Sequence, residues 1–451
     1  TPTWTTVDTG FAITDASDDH NVIAMGVDSN GKMHLSWDMH NITLNYALSN
    51  ASVLGATFNS ATFTKLSAAS APTLFPSSGT NTNEVTYPQF YNIPNSSNLL
   101  FTYRNGGAGG GSGNGNQYFD IYNPAANTWS QTFVINGIQT SVNAYLNSMA
   151  YNSSGNLLMS WTYRATSNWQ TNSNIYFAQS PDNGITWQNQ SGASYVLPIV
   201  QNTGGAMTAS NPQVIKTIPQ GDSFINQTTM TVDQHDHPLI ATYFSPGWTP
   251  TSITAGSGNP NRQYELVYYT GTTWVTSQIS QRTHDTTIDT SGASVRDLGR
   301  PIVLVDKQNR ILVVTRSTDG GLGDSENESL ASTGKNNIVV FYTTDSMTAG
   351  NLPSTLNWNS IVLDSANMGT WEPTYDSVRW ERDGILDLFY EPLGLTEQTR
   401  ASSPLAGTVS VLEWNEQVFF GVPVPEPSSL GLLMLGSVML WRRPRRTRQC
   451  G

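Results

Sequence analysis

Cysteine is nearly missing: the 451-residue chain has one, Cys450, beside its C-terminus. That excludes intrachain disulfides, cysteine-based zinc sites and thiol catalysis from the body of the fold. Charge is scarce as well, with Asp, Glu, Lys and Arg making up 12% of the residues. Lys and Arg number 21 against 33 Asp and Glu, and the resulting formal charge of -12 argues against nucleic acid or an anionic membrane surface as a partner. Five arginines crowd into the last ten positions, so residues 1–421 carry 16 positive and 32 negative charges. Long amphipathic helices are lacking. So is a basic, then apolar, leader over residues 1–14, and the expectation is that a leader has been removed or left out. What is abundant is Gly (38), with Asn, Ser and Thr, and aromatics at 10%, the balance of a secreted all-β protein with many tight turns.

At the C-terminal end, Pro425-Glu426-Pro427 precedes an apolar run from Leu430 to Trp441 and then Arg442, Arg443, Arg445, Arg446 and Arg448. Twelve helical residues span about 18 Å, short of the ~30 Å hydrocarbon core. The order resembles the PEP-CTERM sorting signal of bacterial surface proteins. The resemblance implies processing at Pro-Glu-Pro by exosortase-type machinery, only transient contact with the membrane, and a cell-surface or extracellular location. Residues 422–451 are therefore set apart as a sorting tail.

Across residues 1–421 a phrase recurs: a polar turn, then a strand ending in an aromatic residue or Thr. Copies run Asp28 to Trp37, Pro94 to Tyr103, Asn152 to Trp161, Asp233 to Tyr243, Asp306 to Thr315 and Glu381 to Tyr390, with ends 66, 58, 82, 72 and 75 residues apart. That period fits four-stranded propeller blades with generous loops. Ser180-Pro-Asp182-Asn-Gly184-Ile-Thr-Trp187 matches the Asp-box, an architectural hairpin motif. Six blades are visible, and residues 4–10 with 409–414 are available as closing strands of a seventh. The expectation is an all-β, single seven-bladed β-propeller over residues 1–421, with no independent second domain.

Chemistry-bearing residues are few. Of six histidines, His34 sits inside an alternating strand and reads as a packed residue, whereas His20 and His40 each adjoin an Asn at a strand edge. The alternative for that pair is local hydrogen bonding in loops. Tyr87 lies in Tyr-Pro-Gln-Phe, and Arg104 in Tyr103-Arg104-Asn105-Gly106-Gly107, which leads into a Gly-rich stretch. With no helix or Lys following, that stretch is not a phosphate loop. His235 and His237 with His284 and Asp285 suggest a metal only weakly, so no metal or cofactor is expected.

With Asp18-Asp19-His20-Asn21, His40, Tyr87 and the Tyr-Arg-Asn-Gly-Gly turn, the chain resembles the BNR-repeat family that contains the propeller-type ulvan lyases. The resemblance covers residues 1–421. It implies an exported polysaccharide lyase that cleaves ulvan, or a similar rhamnose and uronate polysaccharide, by β-elimination at the uronic acid. The product is a 4,5-unsaturated sugar, and the partner is an anionic polysaccharide. The chemistry needs a carboxylate neutralised, the C5 proton removed and the C4 oxygen protonated. By resemblance, Arg104 neutralises, His40 and Tyr87 transfer protons, and His20 binds or polarises the uronate, with the choice of base between His40 and Tyr87 open. Asn21, Asn105, Tyr145, Arg164 and Arg300 are candidate substrate contacts, with structural roles open for Tyr145, Arg164 and Arg300. Two other readings stay open: a glycoside hydrolase removing rhamnose from a rhamnosyl-glucuronate end, and a non-catalytic carbohydrate-binding propeller.

Overall fold

The computed structural model describes residues 8–13, 21–38, 40–55, 59, 62–66, 84–107, 115–140, 142–201, 211–247, 262–282, 298–317, 337–345, 350–365, 368, 372–390 and 410–421. They fall into two compact units, Thr1–Pro373 with Tyr390–Val409, and Thr374–Phe389 with Ser410–Gly451.

The larger unit holds five antiparallel sheets. The first runs β1 (Ile23–Val27), β2 (Met33–Trp37), β4 (Tyr46–Ser49) and β5 (Phe63–Leu66). The second begins with the short β3 (His40–Ile42) and continues through β6 (Val85–Asn92), β7 (Leu99–Gly106), β8 (Gly115–Asn123) and β9 (Thr128–Ile135). In the third, β10 (Asn143–Leu146), β12 (Leu157–Arg164), β13 (Asn172–Ser180) and β14 (Gln213–Lys216) follow in order, with the two-residue β11 (Ala150–Tyr151) also on β12. The fourth is β15 (Thr229–Val232), β16 (Pro238–Phe244), β17 (Gln263–Tyr269) and β18 (Trp274–Gln278). The fifth is β19 (Ile302–Val305), β20 (Ile311–Ser317), β21 (Asn337–Thr343) and β22 (Trp358–Asp364).

The smaller unit holds one three-stranded sheet, β23 (Thr374–Tyr375), β24 (Ile385–Tyr390) and β25 (Ser410–Asn415). Between β23 and β24 a helix, Ser377–Asp383, starts at Asp376, whose carboxylate accepts the Arg379 N–H at 3.0 Å. It ends at Gly384 with φ 69°.

The blade count is therefore six, and the expected seven-bladed propeller is corrected to a six-bladed one. Each recurring phrase in the sequence became an inner strand of one sheet: β2, β7, β12, β16, β20 and β24. The strand meant to close a seventh blade, β25, instead pairs in the sixth sheet beside β24. Its other proposed partner, residues 4–10, lies largely outside the described residues.

The inner strands β7, β16 and β20 are buried on both faces and read as continuous buried runs. Their side chains pack against the neighbouring sheets. One cluster joins Leu100 and Phe119 of the second sheet to Leu146, Met159 and Trp161 of the third, and another joins Ala241 and Leu266 of the fourth to Val313 and Val339 of the fifth. Burying one such side chain contributes roughly 1.5–3 kcal/mol.

The Asp-box works as such a joint. Ser180 Oγ donates to Asp182 and accepts the Gly184 N–H at 2.7 Å, while Trp187 Nε1 donates to the Gly184 carbonyl at 3.1 Å. Burial favours protonation of Asp182, but donors from Thr186, Ser180 and Ile185 outweigh it and hold the carboxyl below its usual range. Gly184, at φ 96°, is required twice: a Cβ there would also lie 2.7 Å from Phe119, against which Trp187 packs edge-on at 5.4 Å. His34 is fully buried, with Nδ1 2.6 Å from the Tyr46 hydroxyl, as its strand position predicts.

Candidate active site

Strand irregularities aim the side chains of the site. In the pairing of β6 with β7, Thr86 faces Arg104 and Gln89 faces Thr102, so Tyr87 and Pro88 together oppose Tyr103. This is a β-bulge, a device that re-aims a side chain, and Pro88 has no N–H to lose from the ladder. Tyr87 sits at φ 55°, a left-handed conformation costing a bulky residue about 1–3 kcal/mol. The β3–β6 pairing shifts register too: His40 faces Thr86, Ile42 faces Val85, and Asn41 is the extra residue at φ 59°, its N–H donated to Thr86 Oγ1 at 2.7 Å.

These kinks bring His40, Tyr87 and Arg104 together on one sheet. The His40 and Tyr87 rings are inclined by 30° with centroids 6.2 Å apart. The Arg104 guanidinium carbon lies 5.3 Å from the Tyr87 centroid and 4.9 Å from that of Tyr145, which comes from the third sheet. Arg104 is 3% exposed, and none of its three side-chain nitrogens has a hydrogen-bond partner among the described residues. It fits because Gly115 on β8 lacks a Cβ, which would meet Arg104 Cγ at 2.6 Å. Asn143 accepts the Gly115 N–H at 2.6 Å and donates to the Gly107 carbonyl at 3.2 Å, tying together both flanks of the β7–β8 connection.

Burial raises the Tyr87 hydroxyl above its ordinary pKa; Arg104, and more weakly Arg300 and Arg164, pull the other way without cancelling it. Tyr87 is thus a neutral phenol at neutral pH. A small cleft opens here, its walls including Tyr87, Gln89, Thr102, Arg104, Gln117 and Gln227. Sequence reasoning missed Gln89, Thr102, Gln117 and Gln227. Strand alternation could have found Thr102, which shares a face of β7 with Arg104. Gln117, opposite Arg104 on β8, hydrogen-bonds to Thr102 Oγ1 at 2.7 Å.

The other expected residues are spread differently. Arg164 donates to the Tyr145 hydroxyl at 3.2 Å but also to the Thr166 and Ser167 carbonyls, so it braces Tyr145 from its own loop. Arg300 bonds Glu372 at 2.9 Å and the Asn226 carbonyl at 2.9 Å. Burial opposes both charges of this ion pair, yet each partner offsets it: Arg300 is held above its usual range and Glu372 below. Asn105 is buried, and alternation turns it to the opposite face of β7 from Arg104. Asn21 lies just ahead of β1, in the first sheet. His20, His284 and Asp285 lie outside the described residues, while His235 and His237 sit at the β15–β16 turn.

A guanidinium with unmade hydrogen bonds, walled by aromatic rings and amides, suits the carboxylate or sulfate of an acidic sugar. Comparison with known proteins bears on the family and the fold. A profile described as "BNR repeat-containing family member" matches residues 1–282. The chain belongs to this BNR repeat-containing family. No curated protein matches its sequence. Among solved structures, this BNR-repeat protein resembles the polysaccharide lyase Uly1, with TM-score 0.56, 15% identity, and 87% of this chain and 77% of that one covered. It also resembles a PL25 ulvan lyase, with TM-score 0.52, 12% identity, and 90% and 83% covered. The same kind of lyase bound to -[GlcA(1-4)Rha3S]- gives TM-score 0.50 and 13% identity, again with 90% and 83% covered. At such identities the likeness is one of fold.

Proposed function

We propose that this BNR-repeat protein is a polysaccharide lyase that cleaves ulvan or a similar rhamnose and uronate polysaccharide by β-elimination. The observation that carries the reading is Arg104: buried, without a hydrogen-bond partner among the described residues, and flanked by Tyr87, Tyr145 and, one ring further, His40. In this reading the uronate carboxylate docks on Arg104, and its neutralisation acidifies the C5 proton. His40 takes that proton, the C5–H electrons form the C4–C5 double bond, and the C4–O bond breaks. Tyr87, a neutral phenol, gives its proton to the departing oxygen. Its raised pKa favours the role of acid over that of base.

The C-terminal tail lies outside the described residues. Its Pro-Glu-Pro, short apolar run and arginines support export with processing at the cell surface.

The test is incubation of the purified chain with ulvan and with other uronate glycans while ultraviolet absorbance is followed. Elimination creates a conjugated double bond, which hydrolysis or mere binding does not. New reducing ends without absorbance would replace the lyase by a hydrolase, and binding without cleavage would leave a carbohydrate-binding module.

A further inference from the structure

Outside the candidate active site, one cluster of titratable groups is left without a task. The turn between strands of a sheet recurs four times with one architecture. A side-chain oxygen of Asp28, Asn152, Asp233 or Asp306 accepts the backbone N–H groups two and four residues on, at 2.8–3.1 Å. That task needs only Oδ1, and an Asn performs it in the third sheet. In Asp233 the second oxygen is therefore surplus to the turn, yet its side chain is fully buried.

The company it keeps differs from its counterparts. Asp306 has Arg310 four residues on and pairs with it at 2.5 Å. Asp28 has Lys32 at the same place, and Asn152 carries no charge. The Asp233–His237 turn has no Lys or Arg; it puts histidines at both places, with Asp236 as a second carboxylate. His237 Nδ1 lies 2.9 Å from Asp233 Oδ2 and His235 Nδ1 lies 3.8 Å from it, with all three candidate ligand atoms within 4.8 Å of one another.

We propose that Asp233, His235 and His237 form a binding site for a divalent transition-metal ion of the Zn²⁺ type. Zinc takes imidazole nitrogen and carboxylate oxygen at about 2.0–2.2 Å, which in a tetrahedron sets neighbouring ligands roughly 3.3 Å apart. The two measured separations bracket that spacing. His235 Nδ1 is met by Asn309 Nδ2 at 3.5 Å, a long hydrogen bond that an arriving ion would displace. His235 is a third exposed, which leaves a fourth position open to water. The ion supplies the counter-charge that Arg310 supplies to Asp306. It also stiffens a turn that already docks on the next sheet, where Gln234 bonds Asn309 and Asp306. The role is structural and does not depend on what the Arg104 cleft binds.

The experiment uses the full, tag-free chain stripped with EDTA and titrated with ZnCl₂ by calorimetry, and with CoCl₂ under visible absorbance. Expected are Zn²⁺ binding that raises the melting temperature and a Co²⁺ spectrum of a tetrahedral nitrogen and oxygen site. Asp233→Asn keeps the turn, as Asn152 shows, and His235→Ala alters an exposed ring. Each should lower the stoichiometry by one, or weaken that site by more than about 100-fold, the upper end of losing an outer-shell partner. Absence of Zn²⁺ binding by the parent chain, or binding unchanged in both variants, would overturn the proposal.

Discussion

Arg104 holds its charge where charge is expensive. A buried ion stripped of its partner costs about 3–5 kcal/mol. Two aromatic faces return roughly 0.5–2 kcal/mol each, which offsets part of the loss but pairs none of the guanidinium N–H donors, as an arriving carboxylate would. Lysine in its place keeps the charge but loses the planar fork. Arg104→Lys is expected to lower kcat/KM on ulvan roughly 10²- to 10³-fold, the range for losing a donor aimed at developing charge; a near-normal rate would refute the docking role. Tyr87→Phe should cut kcat roughly 10²- to 10⁴-fold while leaving KM nearly unchanged, because the proton is needed only as the bond breaks. Burial raises the phenol's pKa, so the acid form persists to pH 10 and beyond, and no alkaline loss of activity below pH 10 should trace to Tyr87. A rate profile that falls between pH 8 and 9 in the parent chain but not in Tyr87→Phe would contradict this. The sequence showed these residue types but not their meeting, which depends on an extra residue at Asn41 and a bulge at Tyr87-Pro88.

Elements were legible where a local rule sets them. The recurrent polar turn and the strand after it could be read six times over, and in four of the six a side chain satisfies two backbone N–H groups, a local event. Partnership was less legible. His40 reads as part of the hairpin it follows, yet β3 leaves the first sheet to edge the second, and β25 joins the sixth sheet rather than making a seventh. Both choices are made by distant strands. Packing between sheets also hides Glu265, a charged residue on β17 paired opposite Thr242 and buried at 2% exposure. Burial raises its carboxyl to about 8 against the opposing pull of Lys216. A carboxyl whose folded pKa lies above its unfolded value binds more protons in the folded chain, so stability declines as pH rises from the unfolded value through about 8. Glu265→Gln, which stays neutral, should unfold at a higher denaturant concentration than the parent at pH 8.5 and show a smaller difference between pH 5 and pH 8.5. Parallel pH curves for the two proteins would show that Glu265 is ionised without penalty.

At the scale of the whole molecule, the proposed function has an acidic protein bind an acidic polymer. Formal charge is -12 overall, and 16 positive against 32 negative charges remain once the C-terminal arginines and Glu426 are set aside. The long-range field therefore opposes the approach of a polyanion, while Arg104 attracts it at contact. Salt separates the two terms. The screening length is about 30 Å at 0.01 M and about 10 Å at 0.1 M, so added salt weakens the distant repulsion first and a buried contact least. Raising NaCl from about 0.01 to 0.1 M should thus increase kcat/KM on ulvan through a lower KM, with kcat nearly constant. Deleting residues 422–451 should preserve the fold and kcat, because the described residues of the candidate site lie in the larger unit, on the second and third sheets and in the segment before β15. The truncated chain is the more acidic of the two, so its KM at low salt should be higher and its response to salt steeper. Initial rates on both proteins across a salt series decide the matter: a kcat/KM that falls steadily with salt in both would mean that local attraction governs even the encounter.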